Sequence, residues 1–169
     1  PRVLWVSDPK ITAELDRRGW LLPTLFPGPM PAEAYRSAIS GTVKPTGRAT
    51  VAVSARVKHD GEASPWAQPS PTFGARGTVQ LSLRTVATAG VAKGGPEVRV
   101  PLGRHVLPGE TVEITAEVPL PPLNGPTLCG RRIDVAVRLQ LVQAGVVWFA
   151  ARGDRGVDLN GMALVECSE

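Results

Sequence analysis

Cysteine is scarce in this chain: Cys129 and Cys167 are the only two in 169 residues. They form no CxxC pair and have no histidine at ligand spacing, which excludes a cysteine-built metal site. Cys129 precedes one apparent strand and Cys167 lies near the C-terminus, so one disulfide and two isolated thiols both stay open, and cysteine usage does not fix the compartment. Histidine is as rare, with His59 and His105 far apart and neither near another ligand. No metal and no cofactor is expected. A run of about 18 apolar residues is missing, as is a signal peptide. The chain begins at Pro1 without a Met and reads as an excised fragment, so these absences say nothing about a parent protein.

Clustered positive charge is missing too. The formal net charge is +4 and the pI about 9.6, but the arginines are scattered, with no basic run and no basic helix. That excludes the usual nucleic-acid footprint. Catalytic motifs fail in turn: there is no GxSxG, no P-loop and no GxGxxG opening a helix. His59-Asp60-Gly61 reads as a turn with an exposed imidazole. Glu110, Glu113 and Glu117 raise the paired carboxylates of glycoside hydrolysis. On a strand, Glu113 and Glu117 share the solvent face, which is the reading favoured here. The chain is not expected to be an enzyme.

What is present points to strands. Hydrophobic content is 43%, enough for a real core, and Gly (18) and Pro (17) are abundant. Many short strands joined by tight turns fit this composition better than a helical bundle. The spacing predicts strands at 39–43, 49–58, 78–86, 98–102, 111–118, 133–142, 146–150 and 157–165. Pro101 makes 98–102 an edge. Val51, Val53, Ala55 and Val57 fall on one face; Val79, Leu81 and Leu83 point inward while Gln80, Ser82 and Arg84 point outward. The expected fold is all-β, an antiparallel β-sandwich of immunoglobulin-like or jelly-roll type occupying residues 35–169. Residues 1–34 form an irregular N-terminal arm. Its 20–30 stretch is apolar and broken by Pro23, Pro27 and Pro29, and a short helix is expected at 31–37.

The tryptophans carry the only hint of chemistry. Sugars offer C–H patches that stack on aromatic rings, while their hydroxyls need amides, carboxylates and guanidinium groups. Trp66 sits in a polar loop and Trp148 ends the best strand pattern. Arg138, Gln140 and Gln143, with Asp134, are taken as outward neighbours of Trp148; Arg84 joins them if the two strands share a sheet. Core or sheet-edge packing is the alternative for each Trp.

The order Tyr35-Arg36, Ser64-Pro65-Trp66, Val100-Pro101-Leu102, Pro108-Gly109-Glu110 and LVQAGVVWF at 141–149 resembles the C-terminal domains of polysaccharide ABC transporter ATPases of the Wzt type. Similar domains are attached to bacterial glycosyltransferases and methyltransferases. The resemblance covers roughly residues 35–155. It departs from the family pattern at His59-Asp60-Gly61, where Asn-x-Gly is common, and in the long connection 119–130. It implies a non-catalytic carbohydrate-binding module of a bacterial cell-surface polysaccharide synthesis or export system. The implied partners are a bacterial surface polysaccharide and an attached enzyme or transporter domain, at the cytoplasmic face of the membrane. The rival expectation is a protein-interaction β-sandwich that orients or dimerises an attached enzyme domain. The candidate carbohydrate-binding residues are Trp148, Arg138, Gln140, Gln143, Trp66 and Arg84.

Overall fold

The computed structural model describes residues 17, 28–46, 49–62, 64–69, 75–88, 94–121 and 130–164. Among them are eight strands: β1 (Ser37–Pro45), β2 (Thr50–His59), β3 (Val79–Thr88), β4 (Val98–Pro101), β5 (Thr111–Pro119), β6 (Arg132–Gln143), β7 (Val147–Trp148) and β8 (Val157–Leu164). They form two antiparallel sheets. One is three-stranded, in the order β1-β2-β5; the other is five-stranded, in the order β4-β3-β6-β7, with β8 also paired to β6. The fold is an antiparallel β-sandwich, and its first, second and fifth strands opposite the rest give it the immunoglobulin-like arrangement.

Period-two alternation builds the core. Val51, Val53, Ala55 and Val57 of β2 and Val112, Ile114 and Val118 of β5 are buried. Facing them are Val79, Leu81 and Leu83 of β3 and Ile133, Val135, Val137, Leu139 and Leu141 of β6, buried in the same cluster. Each fully buried aliphatic side chain contributes about 1.5–3 kcal/mol. Pairing runs nearly the full length of β3 and β6, with a register shift between Thr85 and Ala87.

One end of the core is aromatic. Trp66 lies 4.0 Å from the His59 ring in a parallel stack and 5.6 Å from Phe149 edge-on; Phe149 in turn meets Tyr35 at 5.0 Å. The described end of the N-terminal arm packs here. Met30 belongs to the core cluster, and its N–H donates to the Tyr35 hydroxyl at 2.7 Å. The rest of the arm, including 20–27, lies outside the described residues except for Arg17, as do Cys129 and Cys167.

Three expectations change. The strand predicted at 146–150 is only Val147–Trp148, because the chain then turns into a 3-10 helix, Phe149–Arg152, that drives Phe149 into the core. The helix expected at 31–37 is a single 3-10 turn, Ala32–Ala34, since Ser37 already starts β1. His59 is not an exposed turn residue: it ends β2 on the inward phase and is fully buried.

Candidate binding face

The outer face of the five-stranded sheet follows from the parity of its strands. On β6 the residues Arg132, Asp134, Arg138 and Gln140 alternate with the buried Ile133, Val135, Val137, Leu139 and Leu141, so the even positions point outward. Register then aligns three rows across the sheet. Arg84 of β3 pairs with Arg138 of β6, and Arg138 with Asp158 of β8. Arg99, Ser82 and Gln140 form the next row. Gln80, Val142 and Trp148 form the third. Four predicted residues, Arg84, Arg138, Gln140 and Trp148, therefore share one face.

The other two do not. Trp66 is 0% exposed, has His59 stacked on one side, and donates its Nε1–H to the Ala34 carbonyl at 2.9 Å. It offers no ring face to a sugar. Gln143 is also 0% exposed. Its Oε1 accepts from the Tyr35 hydroxyl at 2.6 Å, and its Nε2 donates to the Gly28 and Gly77 carbonyls at 3.1 and 3.3 Å. Gln143 is one residue out of phase with Arg138 and Gln140, and in a strand that turns a side chain to the opposite face. Both are structural residues. So are Tyr35 and Phe149, two other residues on which the family resemblance rests, at 1% and 0% exposed.

Hydrogen bonds hold the face in place. Arg138 grips Asp158 in a fork: Nε donates to Oδ1 and Nη2 to Oδ2, each at 2.7 Å. That contact holds the Asp158 carboxyl below its usual range and raises the Arg138 guanidinium further. Gln140 Nε2 donates to the Arg155 carbonyl at 3.1 Å. Ser82 donates its hydroxyl to Glu97 at 3.0 Å, and Arg99 pairs with the same carboxylate. The Arg99 hydrogen bond holds the Glu97 carboxyl low. The Arg99 guanidinium also lies 5.2 Å from the centre of the partly buried Trp148 indole. The Ser82 bond to Glu97 accounts for a residue that points outward yet is only 5% exposed. Glu97, Arg99 and Asp158 were missed from sequence. The alternation VRV at 98–100 and VDLN at 157–160 was their only signal.

Beside this network lies a depression of about 430 Å³, lined by Arg84, Val86, Gly94, Gly95, Ala136, Arg138 and Asp158. Gly95 presses against β3: a Cβ there would sit 2.2 Å from Thr85 Oγ1 and 2.8 Å from the Pro119 carbonyl. Its N–H donates to the Thr85 carbonyl and hydroxyl at 2.9 and 3.0 Å. Across the sheet, Gly156 brings the chain onto β6 at the start of β8. Its φ is +71°, and a Cβ would meet the Leu139 carbonyl oxygen at 2.1 Å. A side chain is thus excluded at both Gly95 and Gly156.

Around Arg84, Arg138, Gln140 and Trp148 the face combines an aromatic plate, the guanidinium groups of Arg84, Arg99 and Arg138, the carboxylates of Glu97 and Asp158, and amide groups. It can stack and hydrogen-bond a polar ligand. The Glu97 and Asp158 carboxyls are both held low by arginine, the opposite of the raised pKa that a general acid needs. Among the described residues no group of three His, Cys, Asp or Glu is placed to hold a metal. No helix among them is long and apolar enough to cross a membrane. No protein-family model matches the chain, and no curated protein matches it.

Proposed function

We propose that this chain is a non-catalytic carbohydrate-binding module of a bacterial cell-surface polysaccharide synthesis or export system. The glycan lies across the outer face of the five-stranded sheet. The observation that carries this reading is the convergence of Trp148, Arg99, Gln140 and Arg138 on that one face. Trp148 supplies the stacking plate and the arginines and Gln140 supply donors for ring hydroxyls. The resemblance of residues 35–155 to Wzt-type C-terminal domains supports the same function. It also suggests an attached transporter or enzyme domain at the cytoplasmic face of the membrane. A shallow polar contact of this size binds at about 10⁻³–10⁻⁴ M, or about 4–5.5 kcal/mol.

A second reading, docking onto an attached domain or a second copy, has one observation in its favour. Met162 and Leu164 are 47% and 38% exposed on β8, which ends the sheet. The two readings separate in one experiment: binding of the wild type and Trp148→Ala to a panel of bacterial surface polysaccharides, including galactan, arabinan and mannan oligomers. Saturable binding by the wild type that Trp148→Ala loses while staying folded supports the glycan module. Silence of the folded wild type across the panel turns the case to Met162 and Leu164.

A further inference from the structure

We infer that the depression lined by Arg84 and Arg138 is an oxyanion subsite, so that the preferred ligand is an acidic glycan. The inference rests on the glycan-face reading above and names the substrate class for it. Arg84 and Arg138 are directly opposite each other on β3 and β6, both on the outer face. Like charges placed opposite each other across a sheet are destabilising. Asp158 forks onto Arg138 alone. Among the described residues Arg84 has no ion-pair or hydrogen-bond partner, though its charge helps lower the Glu97 carboxyl at longer range. Arg84 is exposed and lines the 430 Å³ depression together with Arg138 and Asp158. The site therefore holds two guanidinium groups against one carboxylate that is already engaged.

An incoming oxyanion resolves that imbalance. It bonds to the Arg84 fork, bridges toward the Arg138 face that Asp158 leaves open, and relieves the repulsion between the two cations. Gly94 and Gly95 line this space and bring no side chain into it. The depression has room for one charged sugar substituent, while the rest of the chain of sugars runs on toward Gln140 and Trp148. A carboxylate of a uronic acid and a phosphate ester of a sugar share this chemistry.

The test is a titration of the isotope-labelled protein, followed by amide and arginine side-chain NMR. The probes are a galacturonate oligomer, the neutral galactose oligomer of equal length, a mannose-phosphate oligomer and inorganic phosphate. An acidic oligomer should bind about tenfold tighter than the neutral one, the worth of one charge-assisted bond pair. Arg84→Gln should bring that ratio to about one, and added salt should do the same. Arg84→Gln should also unfold no more easily than the wild type, because it removes a like-charge contact. Whichever acidic oligomer binds tighter identifies the anion. Equal binding of acidic and neutral oligomers at Trp148 overturns the anionic subsite and leaves the glycan face standing. Phosphate shifts at Arg84 with no oligomer reaching Trp148 keep the anion site and overturn the glycan reading. No binding by any probe to the folded protein overturns both.

Discussion

Trp66 and Trp148 show how the same residue type takes opposite positions. Trp66 is sealed between His59 and Phe149, with its indole N–H spent on the Ala34 carbonyl. Trp66→Phe removes that donor, leaves a buried carbonyl unpaired, and should cost about 1–3 kcal/mol in urea unfolding. Trp148 is only partly buried on the outer face, and Trp148→Ala should cost about 1 kcal/mol or less in the same assay while abolishing glycan binding. A collapse of the fold in Trp148→Ala would make it a core residue. His59 gives a prediction in pH. Burial pulls its imidazole down from 6.5 to about 4. Its Nε2 faces the Ser64 carbonyl at 2.8 Å, and Nδ1 accepts from the Gly61 N–H at 3.1 Å, which fits the neutral ring. The unfolded chain therefore binds the extra proton between pH 6.5 and about 4. The stability His59 contributes is complete above pH 6.5 and is lost as the pH falls toward 4, at up to about 1.4 kcal/mol per pH unit. The check is NMR titration of the His59 ring protons: a midpoint near 4 is expected, and one near 6.5 would contradict the buried stack.

Among the elements, β6 organises the molecule. It pairs with β3, β7 and β8, sends five aliphatic residues into the core and holds Arg138 and Gln140 outward. Its alternation, like that of β2, β3 and β5, was plain in the sequence, since one face of each is almost wholly Val, Leu, Ile or Ala. The face around Arg84, Arg138 and Gln140 was legible for the same reason. Gln143 was misplaced by proximity to Trp148, although its odd position on β6 already turned it inward. Trp66 and His59 were not legible: the loop around them is polar, and only the tertiary fold brings Phe149 and Ala34 against them. Asp158 depends on where β8 starts, which Gly156 sets. Gly156→Ala combines a left-handed φ with a collision at the Leu139 carbonyl. It should cost about 1–3 kcal/mol and loosen the Arg138–Asp158 fork. A drop in melting temperature together with weakened glycan binding is the expected readout. Unchanged melting would contradict the close approach of Gly156 to the Leu139 carbonyl.

Seen whole, the molecule distributes its outer side chains unequally between its sheets. The three-stranded sheet carries ordinary surface pairs, such as Arg56 with Glu113 at 3.4 Å between side chains 69% and 76% exposed. Such pairs contribute little. The five-stranded sheet gathers Arg84, Arg99 and Arg138 against Glu97 and Asp158, and it alone carries Trp148. Both of those carboxyls are held low, so the stability their contacts contribute is complete above the ordinary carboxylate range and is lost as the pH falls from that range to their lower folded values. The central claim is that this outer face is where the glycan sits. The most direct test follows the tryptophan indole N–H signals while the labelled protein is titrated with bacterial surface polysaccharide oligomers. The Trp148 indole and the Arg138 and Gln140 resonances should move together and saturate, while the Trp66 indole stays fixed. Shifts confined to the β1-β2-β5 sheet, or a moving Trp66 beside a fixed Trp148, would contradict the assignment of the face.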